Sequence, residues 1–163
     1  MGKYLSGQLT NKSTSYSISY NNSENMFQYG TGDFSVSYWL QAPKWTEYAT
    51  NCILSKKNND SDTGFVNFKN GTQSDALDMR VANENNFLAL SSAQNARWVS
   101  WIFVRKNGVG YWYLNGILDN SGACTGSANS TDILRLGYHA QWGTKAVWNL
   151  KALRIYNRAL SPK

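Results

Sequence analysis

The chain has 163 residues, the length of one ordinary domain, and we expect residues 1–163 to form a single one. Its 16 basic and 10 acidic residues give a net charge of +6. The whole excess lies in residues 133–163, which contain basic residues and no acid. Aromatic residues make up 14% of the chain, including seven Trp, which excludes disorder. Since no apolar run is long enough for a membrane span and no signal-peptide core opens the chain, we expect either an excised piece of an exported protein or one without an export signal.

Short strands separated by turn clusters are predicted, a pattern typical of a β-sandwich or barrel. Residues 33–40 alternate between apolar and small polar side chains, so one face of this strand is expected to be buried. Residues 52–55 form the next predicted strand, and a hydrated connection over residues 56–64 leads to a returning strand at 65–68. Residues 77–81 again alternate between apolar and polar side chains, which predicts another strand.

Residues 98–104 are apolar on both faces, which predicts a central strand. Asn107-Gly108 and Asn115-Gly116 each predict a type I′ hairpin turn, because both central positions of that turn require positive φ. The strand between the two turns is predicted over residues 110–114, with a further one beginning at residues 117–118.

A Gly-, Ser- and Asn-rich stretch follows over residues 120–130, before a short predicted strand at 133–137. Residues 150–160 are ambiguous by periodicity. Leu150, Leu153 and Leu160 fit one face of a helix, whereas Leu153 and its neighbours also alternate as in a strand.

Six blocks of the sequence occur in an order that matches a known family. They are residues 29–40, 53–56, 98–105, 113–116, 136–137 and 153–161. In this order they resemble the laminin-G-like, concanavalin A-like lectin/glucanase superfamily. The resemblance implies an all-β fold, a concanavalin A-like jelly-roll sandwich of two antiparallel sheets, formed by a single laminin-G-like domain over residues 1–163. It also implies a strand for the last segment. The chain departs from the family pattern at two places. Val99 and Ser100 stand where a His is common, and Trp148, Lys151 and Ala152 stand where a Gly followed by an acidic pair is common.

The residues do not favour an enzyme. Glucanases of this superfamily need carboxylates that face one sugar from neighbouring positions of a strand, whereas Glu24, Glu47 and Glu84 are far apart in this sequence. His139 is the only histidine, and neither a serine elbow nor a thiol beside a base is present.

No cofactor is predicted. Asp60-x-Asp62-x-Gly64 resembles the first half of a calcium loop but lacks the closing Glu, so a plain turn is favoured over a Ca²⁺ site. Cys52 and Cys124 allow either one disulfide or two free thiols, and the sequence leaves this open.

Two groups of residues in loop-like segments are the predicted ligand-binding site. Sugar rings stack on aromatic side chains, while their hydroxyl groups need polar partners nearby. The alternative for each aromatic residue is that it folds back over the edge of the sandwich. The first group is Trp45, Glu47 and Tyr48, and the second is Tyr138, His139, Gln141 and Trp142.

These observations predict a non-catalytic carbohydrate-binding, lectin-like module of a larger surface or extracellular assembly. The alternative is a structural or adhesion domain of a bacteriophage virion or surface protein that makes protein–protein contacts. The predicted partner is a glycan, acidic or neutral, because Arg135 and Lys145 flank the second group and Lys151 replaces a family acid. Nucleic acid is not expected, since the basic residues form no run and no recognition motif is present.

Overall fold

The computed structural model describes residues 3–4, 8–10, 18–20, 24–41, 50–59, 61–70, 76–83, 88–92, 97–141 and 148–161. The regular elements within these ranges are all β-strands. They are β1 (Lys3–Tyr4), β2 (Gln8–Thr10), β3 (Ile18–Tyr20), β4 (Phe34–Gln41), β5 (Thr50–Ser55), β6 (Phe65–Asn70), β7 (Ala76–Val81), β8 (Leu88–Ser92), β9 (Val99–Lys106), β10 (Val109–Leu114), β11 (Ile117–Ala123), β12 (Leu134–Leu136) and β13 (Asn149–Tyr156). Membrane-crossing helices are absent from these ranges.

The described strands form two antiparallel sheets. The first sheet has the order β1-β13-β4-β9-β10-β11, and β2 also pairs with β13. The second sheet has the order β3-β12-β5-β6-β7-β8. This arrangement confirms the predicted all-β fold of two antiparallel sheets with jelly-roll connections.

The core lies between the two sheets and is rich in aromatic rings. Phe34, Tyr38 and the other inward residues of β4 are buried, which confirms the alternation predicted for this strand. Trp112 packs edge-on against Trp101 and Phe103, with ring centroids 5.9 and 5.3 Å apart. Each ring of this size removes a large apolar area from water when it is buried between the sheets.

Both predicted hairpin turns are present. The φ angles are 51° and 73° at Asn107 and Gly108, and 50° and 83° at Asn115 and Gly116, as a type I′ turn requires. The turns join β9 to β10 and β10 to β11, so three consecutive strands form a meander at one side of the first sheet.

The ambiguous C-terminal segment is a strand. β13 pairs with β4 on one side and with β1 and β2 on the other, inside the first sheet. Leu150, Leu153 and Ile155 face the core, and Trp148, just before the strand, donates a hydrogen bond from Nε1 to the Cys52 carbonyl at 3.2 Å.

The alternation predicted for residues 77–81 differs from what the structure shows. β7 forms as predicted, but both of its faces are largely buried, and the Asp78 side chain is inaccessible to solvent. The reason is a second apolar cluster of Cys52, Val66 and Phe68 on the outer face of the second sheet. Arg80 covers this cluster, with its guanidinium carbon 4.8 Å from the centroid of the Phe68 ring.

Burial of Cys52 and Tyr38 predicts a loss of stability at alkaline pH. Cys52 and Cys124 are free, buried thiols. Burial raises the pKa of the Cys52 thiol above its ordinary value of 9.0, and burial likewise raises the pKa of Tyr38 above 10.0. Because the folded state holds these protons more tightly than the unfolded state, their contribution is fully present below the unfolded pKa and is lost as the pH rises towards the folded pKa.

We therefore expect the free energy of unfolding to include a component from Cys52 that falls above pH 9.0, by up to about 1.4 kcal/mol per pH unit. Urea titrations between pH 7 and 11 on the wild type and on Cys52→Ala will measure it. The variant is expected to show a shallower decline just above pH 9. Parallel pH profiles for the two proteins would contradict the prediction.

Candidate functional site

An open polar cleft of about 610 Å³ lies where the β5–β6 connection meets the loops 24–33 and 125–133. Its lining consists of amide, hydroxyl and carboxylate side chains. We call it the polar cleft, and its lining residues are Asn25, Gln28, Asn58, Asp62, Thr63, Asn129, Ser130, Thr131 and Asp132.

The β5–β6 connection is fixed by its own hydrogen bonds. The Asp62 carboxylate accepts hydrogen bonds from the Asn59 backbone N and Nδ2, at 3.0 and 3.1 Å. Gly64 has φ +112°. Its backbone N donates to the Ser127 carbonyl at 3.0 Å, and its carbonyl accepts from Ala82 N at 2.8 Å. These contacts position Asn59, Asp62 and Gly64 at this side of the polar cleft.

Two lysines of the same connection are buried, although the sequence predicts a hydrated connection over residues 56–64. The Lys56 ammonium donates to the carbonyls of Glu24 at 3.2 Å, Ser130 at 2.8 Å and Asp132. The Lys57 ammonium donates to the Ala82 carbonyl at 2.8 Å. Backbone carbonyls thus replace the water that these cations would otherwise need.

Lys56 lies against the backbone of the cleft-lining segment 130–132 and gives it a fixed positive charge. Burial lowers the pKa of Lys56, whereas the nearby charges of Asp132 and Glu24 raise it and that of Arg135 lowers it. The ammonium joins the β5–β6 connection to both loops that line the cleft.

Arg105 holds the same two loops from the core side. Its guanidinium donates to the carbonyls of Gly32 at 2.8 Å, Gly126 at 2.6 Å and Gly30 at 2.7 Å. The side chain is fully buried, and its guanidinium carbon lies 4.7 Å from the centroid of the Phe34 ring. A single cation from β9 therefore fixes the loop before β4 and the loop after β11.

Side chains within the cleft wall link the two loops directly. Gln28 donates from Nε2 to the Ser130 carbonyl at 2.5 Å and accepts from Ser130 N at 3.1 Å. Asn129 Oδ1 accepts from Gly30 N at 2.5 Å. These side chains are used in building the wall, so the exposed polar groups offered to a ligand come from Asn25, Asn58, Thr63 and Thr131.

The two cleft carboxylates are engaged within the protein. Asp62 caps its own turn, and Asp132 forms an ion pair with Arg135. The sequence predicts that Arg135 favours acidic ligands, but this pairing neutralises its charge locally. Among the residues that the structure describes, no three His, Cys, Asp or Glu side chains lie close enough together to hold a metal ion.

One described member of the second predicted group, Gln141, lies beside the polar cleft. Gln141 is exposed, and its backbone N donates to the carbonyl of the lining residue Asn58 at 3.1 Å. Tyr138 is half-buried, whereas His139 is fully buried and presents no surface to a ligand. Trp142 of this group, and the whole first group of Trp45, Glu47 and Tyr48, lie outside the described residues, so the aromatic part of the site stays a prediction.

Sequence reasoning missed the cleft because its lining comes from three separate segments. The turn cluster at 58–64 and the Asn- and Ser-rich stretch before residue 133 were recognisable as loops. Their meeting depends on the pairing of β12 with β5, which places the end of the second loop against the β5–β6 connection. No local pattern in the sequence encodes that pairing.

Comparison with solved structures finds the same fold in larger proteins. The binding domain of Paraclostridial Mosquitocidal Protein 1 aligns with 99% of this chain, over 43% of its own length, at a TM-score of 0.69 and 15% identity. A botulinum neurotoxin type C structure aligns with 99% of this chain over 44% of its own length, at a TM-score of 0.63 and 16% identity. A Trypanosoma rangeli sialidase aligns with 80% of this chain over 21% of its own length, at a TM-score of 0.58 and 12% identity. The chain spans less than half the length of each.

Comparison with curated protein sequences gives no significant match. A family model, Laminin_G_3, described as the concanavalin A-like lectin/glucanases superfamily, matches residues 10–163. The matched segment includes every strand that lines or supports the polar cleft. The chain therefore belongs to the concanavalin A-like lectin/glucanases superfamily.

Proposed function

We propose that this protein is a non-catalytic carbohydrate-binding module and that the polar cleft holds the sugar. The cleft itself is the observation that carries the proposal. Its volume of about 610 Å³ lies within the range typical of small-ligand sites. Its exposed amide and hydroxyl groups are the donors and acceptors that sugar hydroxyls require.

The rigidity of the cleft supports a binding role. Lys56, Arg105 and Gln28 already fix the loops that carry the lining residues, so a ligand does not have to order them. Binding then avoids much of the entropy cost that flexible loops impose. Tyr138 and Trp142 are the proposed aromatic platform on which a sugar ring stacks.

The state of the carboxylates supports binding without catalysis. Glycoside hydrolysis needs one carboxyl group as acid and another as nucleophile or base. Asp62 and Asp132 are engaged by Asn59 and Arg135, and neither is free to take such a role.

The relatives support an extracellular or surface location within a larger assembly. For botulinum neurotoxin type C, cell entry is dependent upon interaction with two ganglioside molecules. Gangliosides present sugars on a cell surface, and we propose a surface glycan as the partner here.

The protein-contact alternative is favoured by one observation, two exposed apolar residues on β11. Ile117 and Leu118 are 75% and 50% exposed at the edge of the first sheet. Exposed apolar residues on an edge strand are a common element of protein interfaces. A protein complex abolished by Leu118→Ser and unaffected by cleft substitutions would favour an adhesion or virion domain instead.

Asn25→Ala and Asn58→Ala test the carbohydrate proposal. Each removes an exposed amide from the polar cleft, and we expect glycan affinity to fall about three- to tenfold per substitution, since a lost hydrogen bond costs roughly 0.5–1.5 kcal/mol. A glycan array identifies the ligand, and calorimetry on the best glycan measures the change.

Asn157→Ala is the matched control, because Asn157 is an exposed amide after β13 and does not line the cleft. It should leave affinity unchanged. Failure of the folded wild type to bind any glycan on the array would overturn the proposal, as would equal loss of affinity in the Asn157 and cleft variants.

A further inference from the structure

A second surface with binding character lies on the outer face of the first sheet. Trp39 is 41% exposed there, and the Lys151 side chain extends over it. The Lys151 ammonium is 4.1 Å from the centroid of the Trp98 ring and 5.7 Å from that of Trp39. These contacts hold the lysine in one place by cation–π attraction while its charge remains at the surface.

A bulge in β13 brings a second cation onto the same face. Residues three apart in a regular strand point to opposite faces, which would direct Lys151 and Arg154 to different sides. The register shifts between them, with Ala152 at φ 54°, so Lys151 lies opposite Trp39 and Arg154 opposite Ser37, both outward residues of β4. Bulges commonly redirect side chains in this way at functional surfaces.

The described strands that carry Trp39, Lys151 and Arg154, and their neighbours β9 and β10, contribute cations and no acid, whereas Asp119 lies on β11 at the far edge of the sheet. The sequences of β4, β9, β10 and β13 contain no Asp or Glu. Arg158 adds a further cation beyond β13, 5.8 Å from the centroid of the Tyr156 ring. Lys151, Arg154 and Arg158 are therefore held on a folded surface, whereas Arg135 of the same segment lies on β12 in the second sheet.

We propose that this face, defined by Trp39, Trp98, Lys151 and Arg154 and called here the aromatic-basic face, binds an anionic polysaccharide. Sugar rings pack on the exposed tryptophan surface, and sulfate or carboxylate groups of the chain contact Lys151 and Arg154. None of these residues lines the polar cleft, so the inference is independent of the sugar proposed there.

The arrangement favours a linear polymer over a small anion. Two cations follow one another along a single strand, beside aromatic rings from β4 and the residue before β9. A polymer with a charged group on each repeat can meet both cations at once, and the second contact then forms at high effective concentration. An isolated sulfate or phosphate would gain from one contact only.

The experiment measures binding of heparin and of polygalacturonate to the purified protein by calorimetry, at two salt concentrations. These probes carry sulfate and carboxylate groups respectively and so identify which group is preferred. We expect the double variant Lys151→Gln/Arg154→Gln to lose at least about tenfold in affinity, and wild-type binding to weaken as salt rises. Trp39→Ala should also weaken binding, with the charge unchanged.

Lys106→Gln is the matched control, because it removes an exposed charge from the same sheet. Lys106 lies six positions along β9 from Ser100, the residue that pairs with Trp39, and is therefore about 20 Å from the aromatic-basic face. It and Asn58→Ala should bind heparin as the wild type does. Equal binding by the double variant, no binding of either polysaccharide by the wild type, or tighter binding of a single-stranded oligonucleotide than of heparin would overturn the inference. Loss of glycan binding in the cleft variants, with heparin binding unchanged, would agree with two independent sites.

Discussion

Replacement of Arg105 by alanine is expected to lower the free energy of unfolding by about 4 kcal/mol, a large share of the stability of a domain this size. The substitution removes three charge-assisted hydrogen bonds to the carbonyls of Gly30, Gly32 and Gly126. It also removes the guanidinium packed on the Phe34 ring and leaves a cavity inside the core.

Arg105→Lys tests how much stability comes from the positive charge alone, without the planar guanidinium. The lysine keeps the positive charge, but one ammonium group cannot reach three carbonyls in the positions that the planar guanidinium occupies, so we expect an intermediate loss. Lys106→Ala, at the exposed neighbouring position, should change stability little. Urea unfolding followed by tryptophan fluorescence gives the three values. A loss of less than about 1 kcal/mol in Arg105→Ala would show that the loops are held by other contacts.

Gly64→Ala is expected to cost about 3 kcal/mol and to abolish sugar binding in the polar cleft. Gly64 has φ +112°, a conformation that side-chain-bearing residues rarely adopt. A Cβ placed there would lie 2.2 Å from the Lys56 carbonyl oxygen and 2.9 Å from Ser130 Cβ. Relief of that overlap must move the β5–β6 connection away from the segment that carries Ser130 and Asp132.

Gly116→Ala is the control for backbone conformation alone. Gly116 has φ +83°, and an added Cβ would meet nothing within 4 Å. Its expected cost is about 1 kcal/mol, with sugar binding unchanged. Thermal unfolding and the glycan assay compare the two alanine variants. Similar costs for both would mean that the close approach of Gly64 to Lys56 has no energetic importance.

Local signals predicted the elements whose structure is decided locally. The Asn-Gly pairs formed their turns because positive φ at both positions admits few other conformations. The side chains of β4 follow the predicted alternation because one face of the strand meets the core and the other does not. For β13 the periodicity was ambiguous, and the family resemblance gave the right assignment.

Elements that depend on distant partners were not predicted. The short strands β1, β2 and β3 carry no marked alternation, and they form because β13 and β12 offer edges for pairing. The burial of Lys56 was missed for the same reason. Its carbonyl partners come from residues 24 and 130–132, which lie far away in the sequence.

The ligand-binding residues named from the sequence stay a prediction. The structure places one of them, Gln141, beside the polar cleft through its contact with Asn58. The exposed polar groups of the cleft were not anticipated, because Asn and Thr in loops are typical of turns as well as of ligand sites. The aromatic-basic face was also missed, since a bulge that turns Arg154 outward leaves no sequence signature.

The position of β13 has a consequence for how the protein is made on the ribosome. β13 lies between β4 and the strands β1 and β2, and β12 lies between β3 and β5. Each sheet therefore joins its earliest strands to the rest only through one of the latest, which the ribosome has not yet synthesised when those early strands emerge. The described early strands can therefore pair with the rest only after β12 and β13 have left the exit tunnel, and until then the edges of β4 and β5 that will receive β13 and β12 are open to pairing with other chains.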